Sequence, residues 1–375
     1  MNIAEIKGTI NSTLGTNKFK ALSNMISHDT DYPKVLMNAP IGMPSNIVKD
    51  CTFTPDNKYL AVIQSQSTTQ IILYENQNEI WVSQQIDQIV IGAASGNKCN
   101  FSGTGNYLVG TVDTTPFYKI YKYNQGGTPK YIALTGVPVV NYQCFGCAFS
   151  PDDQFLALCF YGTPGIKIFQ RSGDTFTDLP NIPSLPAGVI SLECAFDPTG
   201  VYLAITLTVS PYLYIYKRNG TTFTKLPDVS GLPGSSFCVD ISYNYIAVGH
   251  EGALFFSIFK RNGDVFTQVL TNIPLAIMNT VYGINISNDE KFLYLVSPYS
   301  VLVNIYSIIN ELWLPPPLEA IASGAYGISV SNDNKYLAVG TGNKPFIYTF
   351  KNDNFNLINF LEMIYINLIL WELLL

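Results

Sequence analysis

Apolar and polar positions along this chain fall into a pattern that recurs seven times. Each copy opens with a short alternating stretch, passes a turn rich in Ser, Thr, Pro, Asp or Gly, and enters a run of the Tyr-Leu-Ala-Val type. The copies read CTFTPDNKYLAVI from Cys51, CNFSGTGNYLVGT from Cys99, CAFSPDDQFLALC from Cys147 and CAFDPTGVYLAIT from Cys194. They continue as CVDISYNYIAVG from Cys238, INISNDEKFLYLV from Ile284 and ISVSNDNKYLAVG from Ile328. Their apolar anchors, Leu60, Leu108, Leu156, Leu203, Ile246, Leu293 and Leu337, are spaced by 48, 48, 47, 43, 47 and 44 residues. Alternation predicts a first strand, a, and the continuous apolar run predicts a second, b, covered on both faces. Asp and Pro in the turn between them preset its backbone and accept its hydrogen bonds, a structural role for Asp56, Asp152, Asp289 and Asp333. A third run, c, follows in each copy, as in YKIYKYN (118–124) and LYIYKRNG (213–220). Asn-Gly and Ser-Gly endings tolerate the positive φ of tight hairpins and lead into a short strand d, as in TFTDL (175–179) and VFTQV (265–269). Four strands in a repeat of about 45 residues are one propeller blade. The prediction is an all-β fold: a seven-bladed β-propeller over residues 30–360, with a short helical N-terminal segment at 1–29 and an apolar tail at 361–375.

A ring must hide its first and last edges. YPKVLMNAPIGMP (32–44) resembles strand d and the following loop of other blades and can pair outside the last blade. FNLINF (355–360) competes for the same place, and the N-terminal segment is favoured. In residues 1–29, Ile3, Ile6, Ile10 and Leu14 fall at helical spacing, and Phe19 and Leu22 begin a second apolar stripe with Met25 and Ile26. That segment reads either as a helical cap or as an attachment peptide for a partner. The opening MNIAEIKGTINSTLG has no basic region followed by an apolar stretch, so no secretory signal is expected. The tail LINFLEMIYINLILWELLL (357–375) approaches the length of a membrane span. Glu362 and Glu372 and the lack of flanking Lys or Arg argue against one.

Charge is sparse: 13% of residues, with a formal net charge of −6. The basic field that drives nucleic-acid binding is missing. Five of the seven cysteines, Cys51, Cys99, Cys147, Cys194 and Cys238, open successive copies and read as small apolar fillers, too far apart to bridge. Cys144 and Cys159 lie off that position. Free thiols fit a reducing compartment. Catalytic sets are scarce, with two histidines, His28 and His250, in unrelated contexts. No catalytic residue, metal ligand or cofactor is expected. The Lys-Arg pairs at 217–218 and 260–261 flank hairpin tips and read as a solvated face. The b–c loops instead hold Asp113, Phe117, Tyr161, Tyr212, His250, Glu251 and Tyr299, with Phe117, Tyr161, Tyr212 and Tyr299 at comparable points of different blades. Rigid tyrosines give large contact area at low entropy cost, so this loop set is the candidate partner face. Covering of the blade edges is the structural alternative for the same residues.

The repeat C-x-F-S-P-D-x-x-Y-L-A-V followed by I-x-I-Y/F-K-R-N-G resembles WD-repeat-like propellers across roughly residues 32–360, although the Gly-His and Trp-Asp dipeptides of that family are absent. The Asn- and Tyr-rich form looks like propellers of bacteria and bacteriophages. INSTLGTNKFKALSNMI, from Ile10, looks like the attachment segments of phage tail and virion appendage proteins. These resemblances imply a non-enzymatic virion structural protein (a tail, baseplate or capsid appendage) assembled in the bacterial cytoplasm. Its partners would be other virion or scaffold proteins through the N-terminal segment and a host surface ligand, with self-association also open. The alternatives are an intracellular bacterial propeller scaffold and a propeller enzyme similar to the lactonase type.

Overall fold

The computed structural model describes residues 35–65, 70–87, 95–179, 185, 189–252, 254–269, 279–299, 303–314 and 324–352. The readings of residues 1–29, 355–360 and 361–375 lie outside the described residues. Seven four-stranded antiparallel sheets form seven blades, and no helix occurs among the described residues. The innermost strands a are Val48–Phe53, Gly96–Phe101, Cys144–Phe149, Ser191–Phe196, Ser236–Ile241, Gly283–Ile286 and Ala325–Val330. Each lies against strand a of the blades before and after it, so the seven line a central channel.

Strand b sits in the middle of each blade, pressed between neighbouring sheets. That is why its sequence is apolar without alternation: Tyr59–Gln64, Phe155–Phe160 and Tyr336–Thr341 are buried at every position. The a–b turns have the predicted form. Thr54 Oγ1 donates to Asp56 at 2.6 Å and the Lys58 N–H donates to Asp56 at 3.0 Å, and Ser331, Asp333 and Lys335 repeat the arrangement. Neighbouring turns are also stitched together around the ring. The Asn57 side chain accepts from the Asn332 N–H and that of Asn334 from the Asn288 N–H, both at 2.9 Å.

Closure uses the N-terminal segment. Val35–Leu36 pairs antiparallel with strand c of the last blade, Val35 opposite Lys351 and Leu36 opposite Phe350, and supplies the fourth strand of that sheet. The last blade is thereby built from residues about 300 positions apart, a long-range seam that gives it the same four strands as the other blades.

Two expectations need correction. All seven cysteines are buried and unbonded, but only four of the five share one position. The blade-five a–b turn is two residues shorter, so Val239, not Cys238, stands opposite Val248, while Cys238 pairs with Gly249. Cys51 by comparison stands opposite Val62. A one-residue step turns the side chain to the other face of the strand. The arginines of the Lys-Arg pairs are also not a solvated fringe, although Lys217 and Lys260 are largely solvent-facing. Arg218 reaches back to Asp152 of the preceding blade at 2.6 Å and lies 4.9 Å from the Phe155 ring, and Arg261 does the same with Asp197 (3.3 Å) and Tyr202 (4.8 Å). These arginines are clamps between blades, using their planar heads on aromatic faces.

Candidate binding site along the central channel

Strand a carries the channel chemistry at three successive depths, counted from the residue aligned with Cys51. Two residues before it stand Lys49, Phe145, Phe237, Tyr282 and Tyr326 in their respective blades, half-buried at the end nearest the b–c loops. Phe237 and Tyr282 stack at 5.0 Å with 19° between planes. The Lys49 ammonium lies 4.0 Å from the centre of the Tyr326 ring, and Phe145 meets Tyr161 edge-on at 6.4 Å. These side chains form an aromatic collar around one mouth.

One residue deeper the wall is charged. Asp50, Lys98 and Glu193 come from blades one, two and four, while blade three contributes Gly146. Lacking a side chain, Gly146 leaves the gap across which Lys98 reaches Glu193 at 2.7 Å, with Asp50 at 3.6 Å. Bulges in strand a set this up. The Lys98 N–H donates to Thr111 Oγ1 and the Glu193 N–H to Thr206 Oγ1, each threonine standing on strand b of the same blade. Asp50 additionally accepts from the Cys99 N–H at 3.0 Å. Burial opposes the Lys98 charge, but the two carboxylates outweigh it and raise the pKa. Burial raises the pKa of Asp50 against the pull of Lys98. It pushes Glu193 up to about 7, with Lys98 and the Val239 N–H opposing. One amine thus serves two carboxylates in a buried setting.

Beyond the waist the channel widens toward the a–b turns into a funnel of about 570 Å³. Its wall carries Thr52, Asn100 and Ser329 with Phe149, Phe196, Ile241 and Val330, and Asp240 is its one charged residue. Asp240 accepts from the N–H groups of Ile241 (2.9 Å) and Ile286 (2.7 Å) and from Asn285 Nδ2 (2.8 Å). Asn285 passes the stitch on, accepting from the Val330 N–H at 2.8 Å.

The residues expected at the partner face sit at the collar end, in three different settings. Asp113, Tyr161 and Glu251 are equivalent: each opens a b–c loop by donating its N–H to the start of strand a, at Ser95, Gln143 and Ser235. Phe117 and Tyr212 are equivalent at the other end of the loop, directly before strand c, with φ of 67° and 70°, so neither Tyr161 nor Tyr299, which follows the end of strand b, shares their position as expected. Tyr161 and Tyr299 are the exposed aromatics, at 56% and 65% of full accessibility. Phe117 packs half-buried on the apolar core of its blade interface. Asp113 Oδ1 is committed to the Ser95 N–H at 2.8 Å. His250 is wholly buried. Its Nδ1 donates to the Glu251 carbonyl and its Nε2 faces Ser257 Oγ, both at 3.0 Å, and burial lowers its pKa, which together describe a neutral ring holding a loop. The collar and the waist were missed in the sequence. A signal existed, because they lie at a constant offset of two and one residues before the repeat position.

Among the described residues no three His, Cys, Asp or Glu side chains converge in a way that could hold a metal ion. Compared with models of known protein families the chain matches none, and a search of curated proteins finds no significant match.

Proposed function

We propose that this chain is a non-enzymatic binding module, a structural protein of a bacteriophage virion that is anchored through its N-terminal segment and meets its partner with the collar end of the propeller. The observation that carries the reading is the division of labour around the channel. Ionisable groups are spent on each other and on the backbone, whereas aromatic area is concentrated at one mouth, where Tyr142, Tyr161 and Tyr299 stand exposed beside the half-buried Phe145, Phe237, Tyr282 and Tyr326. At the other mouth Tyr243 alone is exposed among the described aromatics. Burial raises the thiol pKa of Cys51, Cys99 and Cys147, which keeps them protonated and poor nucleophiles at neutral pH. A rigid ring with preformed aromatic contacts loses little entropy on binding a surface. The low charge and the N-terminal resemblance support the virion assignment over an intracellular scaffold.

The test is co-sedimentation with a panel of bacterial envelope preparations, comparing the full chain with Tyr161→Ser/Tyr299→Ser. Both tyrosines are exposed, so the double variant keeps the wild-type melting temperature and loses most of the co-sedimentation. Equal retention of the two proteins on every preparation, or none by either, counts against the reading.

A further inference from the structure

The seven thiols are all buried and unbonded, yet their settings differ. A cysteine at the shared position of strand a lays its sulfur over strand b of the preceding blade. Cys51 Sγ donates to Ala338 O at 3.4 Å, Cys99 Sγ to Ala61 O at 3.9 Å and Cys194 Sγ to Ala157 O at 3.8 Å. Residues two apart on a strand share a face, so the residue two beyond each alanine completes the setting. That residue is Gly340 beside Cys51 and Ile63 beside Cys99, but it is Cys159 beside Cys194. Both Cys159 and Cys194 belong to the core packed between blades three and four. The Cys194 thiol has the Cys159 thiol as a hydrogen-bonding neighbour. Cys144 and Cys147 face the other way, into the core between blades two and three. Cys159 and Cys194 are thus a thiol pair across a blade interface.

We propose that Cys159 and Cys194 form an oxidation-sensitive clasp between blades three and four, closing to a disulfide when the protein meets a hydroperoxide. In the first step one thiol sulfur attacks a peroxide oxygen. The O–O bond breaks, a sulfenic acid forms and one water leaves. The second thiol then attacks the sulfenic sulfur. The S–O bond breaks, the S–S bond forms, and the remaining thiol proton leaves in a second water. The two sulfurs together lose two electrons and the peroxide takes up both. The neighbouring thiol and burial hold Cys194 protonated, so the closed interface reacts slowly and the clasp forms during local opening of the seam. Once formed, it closes a loop of about 35 residues that spans the seam. The pair lies inside the ring, away from the collar, and stands independently of the function proposed for that face.

The experiment treats the full chain, reduced and desalted, with hydrogen peroxide, then denatures and alkylates it without reductant. The expected product is lighter by two hydrogens, keeps five of its seven thiols open to alkylation, and yields a peptide linking Cys159 to Cys194. Dithiothreitol restores all seven. The oxidised protein unfolds at a higher urea midpoint than the reduced one, and Cys194→Ala abolishes both the link and the shift. Peptide mapping of the unsubstituted chain stands by itself should Cys194→Ala fold poorly. Tyr161→Ser/Tyr299→Ser forms the same link, so failure of the collar reading and failure of this one are separable. Survival of all seven thiols, a link mapped to another pair such as Cys144 with Cys147, or oxidation of single sulfurs without a link overturns the proposal.

Discussion

Gly327→Ala tests how tightly the ring is closed, and its expected sign is opposite to the ordinary one. Gly327 lies on strand a of the last blade, against strand a of the first. A Cβ added there would lie 2.5 Å from Asp50 Cα, 2.9 Å from Lys49 O and 3.1 Å from Asp50 N. All three are backbone atoms, so no side-chain rotation relieves the contact, and an ordinary spacing requires the strands to part by roughly 1 Å at close-packed density. Elsewhere, replacing a strand glycine by alanine stabilises by about 0.4–1 kcal/mol through the unfolded chain. Overpacking of this kind costs about 1–3 kcal/mol, so the net expectation is a loss of about 1–2 kcal/mol. The displaced strand also carries Asp50, whose carboxylate accepts from the Cys99 N–H at 3.0 Å, so the disturbance reaches the channel waist. Urea denaturation of Gly327→Ala and of Gly146→Ala, which meets Leu192 O at 2.6 Å inside the ring, gives the comparison. Similar losses mean that the seam is packed like an interior interface. A Gly327→Ala protein as stable as wild type, beside a destabilised Gly146→Ala, refutes the closed seam.

Further predictions concern the waist. Lys98→Met leaves Asp50 and Glu193 facing each other without a counter-ion and destabilises by about 3–5 kcal/mol at pH 8, less at pH 5, measured by denaturant midpoints. Glu193 sets a pH dependence of definite sign. Its folded pKa of about 7 lies above the ordinary 4.5, so between these values the folded protein holds a proton that the unfolded chain has lost. Its contribution is therefore full below about 4.5 and falls as pH rises to about 7, by up to roughly 3 kcal/mol. Relative to Glu193→Gln, the wild type loses stability from pH 5 to pH 8; parallel profiles contradict the assignment. Toward acid, Glu79, Asp174 and Asp264, held low by hydrogen bonds to Lys351, Lys122 and Lys217 respectively, give stability that is lost as pH falls through their folded values, and 1 M salt flattens that limb.

What could be read from the sequence is what recurs within one blade. The anchors from Leu60 to Leu337, the Asp-bearing turns and the hairpin endings depend on neighbours a few residues away, and they define blade number and strand order. The segment 32–44 was identified as the closing strand because it looks like the outer strand of other blades. The channel was not legible for the opposite reason. Lys98 meets Asp50 and Glu193 only because ring closure brings three blades to one axis, and Gly146 matters through what it does not fill. His250 gave no sign of being buried, since Ser257 and the Glu251 carbonyl are supplied by the loop's own curvature. Cys238 misled because it stands one residue before the shared position, on the other face of the strand, and the shorter turn after it hid that offset in the sequence. The clamp arginines look like any charged hairpin until the preceding blade is placed beneath them.

The most direct test of the account as an anchored binding module compares the full chain with one beginning at residue 30, by size-exclusion chromatography with light scattering. The shorter chain retains Val35–Leu36, the strand that completes the last blade. The account predicts a defined oligomer for the full chain and a folded monomer for the shorter one. Identical monomers for both would contradict an assembly role for the N-terminal segment and leave a free-standing propeller as the better description.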